Sequence, residues 1–237
     1  IMKILANDGI SKDAVAALEA AGFSVSTTKV DQAQLIDHIN KENISALLVR
    51  SATTARKDMI DACPGLKLIG RGGVGMDNID VEYARSKGRH VINTPGASSQ
   101  SVAELVIGTM FSLSRDLFHS HRMMPVNGEK DFEALKKKYG KGQELRGKTL
   151  GIVGFGRIGQ SLASYALGCG MKVIAIDLYT NPVDIKVPIV GHGDVKVTIT
   201  PKKDLSDVIG ELDYVSLHVP KQPNGAAVIG EAEFSKL

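Results

Sequence analysis

The sequence predicts an α/β protein built from two doubly wound parallel-sheet domains, the second of them incomplete. Three observations carry this. Residues 2–94 alternate short apolar runs with amphipathic stretches, the pattern of strands joined by helical crossovers. Residues 149–177 repeat that alternation around a glycine cluster of fixed spacing. Between them lies a single helix of nearly unbroken apolar character.

In the first domain, Met2–Ala6 reads as a strand. Ser11 caps a helix that carries Val15 and Leu18 on one face. Phe23–Thr27 is a strand after the Gly22 stop, and Asp31 caps a helix with Leu35 and Ile39 inward. Ile44–Val49 is a buried strand, Lys57–Ala62 a short helix ending near Pro64, and Leu66–Arg71 a strand. Val81–Ser86 is a helix stopped by Gly88, followed by the strand His90–Asn93. Five strands with helical crossovers predict a parallel sheet of flavodoxin-like order. The predicted boundaries are 1–96 for this domain and 97–237 for the next.

Ser101 and Glu104 have the spacing of a capping box. The helix they open, through Leu105, Val106, Ile107, Met110, Phe111 and Leu113, is apolar nearly all round and is expected to be buried, ending near His119. Residues 122–146 are polar, interrupted by Pro125, Gly128, Gly140 and Gly142, and carry Lys136, Lys137, Lys138 and Lys141. They read as a solvated connection. After the second alternating stretch, residues 178–196 lack periodicity. Val195–Ile199 reads as a strand, Asp204–Ile209 as a short helix, Asp213–Val219 as a strand, and Glu231 opens a last helix. At most four strands are counted, where a dinucleotide-binding sheet has about six, so the chain is expected to stop within its second domain.

Composition excludes several classes. The net charge, 29 − 26 = +3, is too small to argue for nucleic acid. No apolar run reaches the length of a membrane span, and no secretory signal is evident. Cys63 and Cys169 lack metal-ligand spacing and read as reduced core residues of a cytoplasmic protein, so no metal is expected.

Two constellations carry chemistry. After the apolar run Leu150–Val153, Gly154, Gly156 and Gly159 stand in G-x-G-x-x-G spacing. Gly154 permits a tight turn, Gly156 lets a pyrophosphate approach the backbone, and Gly159 lets the helix pack close to the sheet. The helix N-terminus then offers N–H groups to the phosphates. Asp177 ends the next strand 18 residues after Gly159, where a carboxylate binds both ribose hydroxyls of an adenosine. NAD is the predicted cofactor. In the first domain, Arg71–Gly75 (RGGVG) follows a strand and forms a candidate anion nest, with Arg50 and Ser51 ending the neighbouring strand.

The segments LLVRSAT (47–53), GLKLIGRGGVGMDNIDVEYARSKG (65–88), VINTPGASSQSVAELVIGTM (91–110), LRGKTLGIVGFGRIG (145–159) and DYVSLHVP (213–220) resemble the D-2-hydroxyacid dehydrogenase family over nearly the whole chain. The resemblance implies a flavodoxin-like substrate domain, a Rossmann NAD domain, an active site between them and a homodimer. It places substrate phosphate on Arg50 and Ser51, and substrate carboxylate on the backbone of Gly73, Val74 and Gly75. Nicotinamide contacts fall on Val74 and Val106. The pyrophosphate loop falls on Gly156, Arg157, Ile158 and Gly159, and the adenosine side on His218, Val219 and Pro220. Ala52 stands where some members carry a second arginine, and Ile176 where an aromatic residue is usual.

The implied reaction is hydride transfer between a D-2-hydroxy acid, foremost 3-phospho-D-glycerate of serine synthesis, and nicotinamide. The near alternative is a glyoxylate or hydroxypyruvate reductase. A non-enzymatic, NAD-sensing corepressor-like protein is the reading from a different class. The family's catalytic arginine, glutamate and histidine are expected beyond Leu237, so this stretch by itself is expected to be inactive.

Overall fold

A computed structural model of the chain, describing residues 1–222 and 224–236, divides into two units, Ile1–Ser98 and Ser99–Leu237. In the first, β1 (Lys3–Ala6), α1 (Lys12–Ala20), β2 (Ser24–Ser26), α2 (Leu35–Glu42), β3 (Ile44–Val49), α3 (Lys57–Ala62), β4 (Leu68–Arg71), α4 (Val81–Ser86) and β5 (His90–Asn93) follow in order. The sheet is wholly parallel with order β2-β1-β3-β4-β5, the flavodoxin-like order predicted. Leu5, Leu47, Val49 and Ile69 from the strands meet Leu35, Ile39, Met59 and Ile60 from the helices in one apolar core. Ser11 does cap α1, its hydroxyl accepting from Ala14 N at 3.2 Å. Asp31 makes no such bond, and a 3-10 turn, Gln32–Gln34, precedes α2 instead.

The second unit begins with α5 (Ser99–Ser114) and α6 (Leu117–Tyr139). Three sequence expectations change here. The proposed capping box does not form. The helix starts two residues before Ser101, and the Glu104 carboxylate accepts instead from the Tyr165 hydroxyl at 2.6 Å. The apolar helix is not buried all round. Ala103, Ile107 and Met110 face the core, while Leu105 and Leu113 are each 71% exposed. The polar connection is a helix as far as Tyr139, bent at Asp131. Pro125 lies inside this helix, where it removes one backbone donor, and the Glu- and Lys-rich stretch beyond it has high helix propensity that carries the helix on. Only at Gly140 does the helix stop.

Next come β6 (Thr149–Val153), α7 (Arg157–Gly168) and β7 (Lys172–Ile176), then β8 (Val183–Ile189) and β9 (Gly193–Ile199), β10 (Tyr214–Leu217) and α8 (Glu231–Phe234). The parallel sheet has order β10-β6-β7, and Lys202 adds an isolated bridge to Ile176 at the outer side of β7. β8 and β9 form a separate antiparallel hairpin, so Val195–Ile199 is not a strand of the parallel sheet and, of the stretch 178–196, only 178–182 is irregular. The period-2 alternation Val183, Ile185, Val187 was present but interrupted by Pro182 and Pro188. In a two-stranded hairpin every strand is an edge, where proline is tolerated. Ile185 and Ile199 bury against the α7 side of the core, and the Ser164 hydroxyl donates to Lys186 O at 2.8 Å. The expected helix at Asp204–Ile209 is two 3-10 turns, Leu205–Asp207 and Ile209–Glu211. Among the described residues no helix is long and apolar enough to cross a membrane, and no cluster of potential metal ligands occurs.

Candidate functional site

Both chemical constellations lie where parallel strands end. At the C-terminal ends of β1, β3 and β4 the ladder runs out, and side chains take over the backbone's unpaired groups. Asn7, 2% exposed, donates to Val30 O at 3.0 Å and accepts from Val30 N at 2.8 Å. Its amide also donates to the Thr53 hydroxyl at 2.9 Å. Asp8 accepts from Arg50 N at 2.7 Å, Thr53 N at 3.0 Å, the Thr53 hydroxyl at 2.7 Å and Lys29 Nζ at 2.6 Å. Burial opposes charge on Asp8, but these four donors outweigh it and hold the carboxyl well below the usual range. The Asn78 amide donates to Arg50 O at 2.8 Å and Thr53 O at 2.6 Å. The loop carrying Arg50 and Ser51 is thus held from the end of β1 and from the loop that follows β4. Arg50 and Ser51 line an open cavity of about 510 Å³ together with Asp8 and Lys29. Among the described residues the Arg50 guanidinium makes no hydrogen bond to protein.

The neighbouring loop starts with Gly72 N donating to Val49 O at 2.9 Å. Gly73 N donates to Arg71 O at 3.0 Å, so of the three nest donors expected from the sequence this one is already engaged. The N–H groups of Val74 and Gly75 have no protein acceptor among the described residues. Asn93 Nδ2 donates to Val74 O at 2.7 Å, which fixes that peptide. Arg71 opens the loop expected from the sequence, which gave its side chain no role. Its Nε donates to Arg50 O at 3.3 Å, and its Nη1 is buried beneath the loop without a partner among the described residues. A Cβ on Gly75 would stand 3.3 Å from that nitrogen, so Gly75 leaves the guanidinium room. Only the fold places Arg71 there, because its side chain doubles back under the residues that follow it.

In the second unit, Gly154 has φ +92°, and its N–H donates to Ile176 O at 2.8 Å. A side chain there would also press on His218 O, 2.7 Å from the added carbon. At Gly159 a Cβ would overlap Gly154 O and stand 3.1 Å from Ile152 Cγ2. Gly156, by contrast, has nothing within 4 Å of an added carbon. It is the N-cap of α7 with no side chain to cap with, which leaves the first-turn N–H groups of Arg157, Ile158 and Gly159 open to an anion.

Asp177 reaches across the strand ends. Its carboxylate accepts from Phe155 N at 2.6 Å and Tyr179 N at 3.0 Å, tying the glycine loop to the end of β7. Its own N–H donates to Lys202 O at 2.9 Å, which brings the backbone of Lys202 beside it, a neighbourhood invisible in the sequence. His218 N donates to Val153 O at 2.7 Å, and its ring nitrogen Nε2 lies 2.9 Å from the Ser216 hydroxyl. Burial pushes the His218 imidazole pKa down. Val219 is half-buried and Pro220 exposed beside it. Val106 packs part-buried against this unit's core.

The glycines make different predictions. Gly159→Ala should destabilise the protein by about 1–3 kcal/mol, the usual cost of overpacking. Gly156→Ala should leave denaturant stability near wild type while weakening nucleotide binding, read by titration calorimetry. Equal stability losses in the two variants would refute this division of roles.

Residues 4–216 match the family described as D-isomer specific 2-hydroxyacid dehydrogenase, catalytic domain. The chain is 38% identical over 236 residues to a hydroxypyruvate reductase of Thermotoga maritima, covering 99% of this chain and 70% of that protein. It is 37% identical over 235 residues to a D-3-phosphoglycerate dehydrogenase of Methanocaldococcus jannaschii, covering 99% of this chain but only 42% of that one. Among solved structures, the NAD+-bound 3-phosphoglycerate dehydrogenase of Entamoeba histolytica superposes with a TM-score of 0.73 at 30% identity, covering 100% of this chain and 68% of that one.

Proposed function

The chain belongs to the D-isomer specific 2-hydroxyacid dehydrogenase family, and on that premise we propose that it serves an NAD-dependent enzyme moving hydride between a D-2-hydroxy acid and nicotinamide. The supporting observation in the second unit is the open α7 N-terminus at Gly156 with Asp177 anchored beside it. That arrangement offers N–H groups to a pyrophosphate and a carboxylate to a ribose. Bound NAD supplies the hydride acceptor. The chain's own groups bind and orient. Gly156, Arg157, Ile158 and Gly159 hold pyrophosphate, Asp177 selects the ribose, and His218, Val219 and Pro220 line the adenosine side. None of the histidines among the described residues is assigned the proton transfer.

Within that reaction class we favour 3-phospho-D-glycerate over unphosphorylated hydroxypyruvate. Relatives of both kinds are similar to this chain. The observation that favours the phosphorylated acid is the unpaired Arg50 guanidinium beside Ser51 at an open cavity, close in the chain fold to the free N–H groups of Val74 and Gly75. The nest suits a carboxylate, and the arginine suits a phosphate at the other end of a three-carbon acid. The enzyme is proposed to act as a homodimer. Leu105 and Leu113 of α5 and Leu117, Phe118 and Val126 of α6 are exposed, apolar side chains that a partner subunit would cover.

Three outcomes are expected of the full-length protein. Arg50→Ala should lower kcat/KM for 3-phosphoglycerate by roughly ten- to a hundredfold, the worth of a charge-assisted bond, and affect glyoxylate far less. Equal losses on both would make Arg50 structural. NADH should be strongly preferred over NADPH, because a 2′-phosphate would meet the Asp177 carboxylate, and Asp177→Ala should narrow the kcat/KM ratio by roughly tenfold or more. A wild type indifferent between the two cofactors would show that Asp177 does not face the ribose. Sedimentation equilibrium should return twice the chain mass, and Leu105→Glu combined with Leu113→Glu should return a monomer. A wild-type monomer would remove the dimer from the proposal.

A further inference from the structure

The C-terminal ends of α5 and α7 meet a cavity of about 210 Å³, closed on its third side by the segment that leads into β6. It lies at the far end of α7 from the glycine loop. That helix has 12 residues, so its last turn stands roughly 18 Å from the N–H groups offered at Gly156. Phe111 and the buried Leu145 give the cavity an apolar wall, and Arg115 and Arg146 line it beside them.

A helix C-terminus leaves carbonyls unpaired, and arginines placed there ordinarily serve them. Here backbone N–H groups take that role. Phe111 O accepts from Arg115 N at 3.0 Å, Leu113 O from Asp116 N at 3.4 Å and Ser114 O from Gln143 N at 2.8 Å. At the end of α7, Ala166 O accepts from Met171 N at 3.0 Å and Leu167 O from Gly170 N at 2.9 Å. This is a Schellman ending, with Gly170 at φ +74°. Among the described residues, neither the Arg115 nor the Arg146 guanidinium has a hydrogen bond or an ion pair. Their stems are held nonetheless. Arg115 runs against Gly142, where an added Cβ would stand 2.8 Å from its Nε and 3.0 Å from its Cδ. Arg146 runs against Gly170, where an added Cβ would stand 3.3 Å from its Cγ. Seating the stems before any ligand arrives lowers the ordering cost of binding. Glu144 lines the same cavity, and two arginines against one glutamate leave one net positive charge.

We propose that this cavity is a binding site for a small oxyanion, a carboxylate or a phosphate group, gripped by Arg115 and Arg146. Each guanidinium presents five N–H donors in a planar fork that matches either group. The ligand bridges the end of α5 to the segment that leads into β6.

The test is titration calorimetry on full-length Arg50→Ala protein saturated with NADH, with inorganic phosphate and succinate as probes. NADH occupies the glycine loop and the substitution removes the arginine proposed above for substrate phosphate, so the remaining binding reports this cavity. At least one probe should bind, and the tighter of the two shows whether the site is built for phosphate or for carboxylate. Adding Arg115→Gln or Arg146→Gln should each weaken that probe by roughly tenfold or more. No binding of either probe, or binding that either added substitution leaves unchanged, would overturn the proposal. A second measurement needs no substitution. The tighter probe should slow phenylglyoxal modification of Arg115 and Arg146 in the wild type, read by peptide mass. Modification at the same rate with and without the probe would overturn the proposal as well.

Discussion

A parallel sheet leaves its strand ends short of hydrogen-bond partners, and this shortage shapes the first unit. The ends of β1, β3 and β4 face the same edge, and each opens into a loop whose backbone must be satisfied by something other than a neighbouring strand. Asn7, Asp8, Thr53 and Asn78 do this from within, with Asn7 and Thr53 each 2% exposed. A buried polar cluster is tolerable only when it is satisfied, since each unpaired group costs free energy in a low-dielectric interior. The cluster meets that requirement except at Asn78 Oδ1, which is buried without a partner among the described residues; it leaves the Arg50 guanidinium without a protein partner there and holds Lys29 Nζ on Asp8. The cavity follows from the way the edge is closed.

The second unit meets the same shortage by bringing backbone close to backbone. The chain turns at Gly154 with positive φ beneath His218 O, and α7 starts so near the sheet that Gly159 has no room for a methyl group. That proximity places the N-terminus of α7 over the strand ends, with its dipole and free N–H groups directed outward. Asp177 adds a tie between the glycine loop and the end of β7. The residue proposed to select the ribose thus also braces the loop, so a substitution there would alter the loop's shape as well.

Much of the arrangement was readable because it depends on short-range rules. Strand and helix alternation in residues 2–94 led to the correct sheet order, since crossover handedness and strand burial leave few topologies. The glycine spacing led to a strand, a tight turn and a helix because each glycine answers a local steric demand. Features that depend on partners distant in sequence were misread. Glu104 looked like a capping residue, but the Tyr165 hydroxyl claims its carboxylate. The apolar helix α5 looked buried because hydropathy records that a residue avoids water, not whether its own chain covers it. Prolines hid both α6 and the hairpin β8–β9, because a proline signal is read as a break before its neighbours are known.

The residue types of the candidate site were determined by the sequence alone. Arg50 and Ser51 end one strand, a glycine loop follows the next, and a G-x-G-x-x-G turn precedes an acid at the right distance. Only the tertiary structure decided which of these groups are free to act. Gly73 N–H is spent on Arg71 O, while the N–H groups of Val74 and Gly75 remain. Arg71 folds back under its own loop, and Lys202 arrives beside Asp177. Lys29, 21 residues from Arg50, reaches the same cavity through Asp8. The physical reason is that a hydrogen-bonding group's availability depends on every acceptor and donor within about 3 Å, and those neighbours come from strands far apart in the chain.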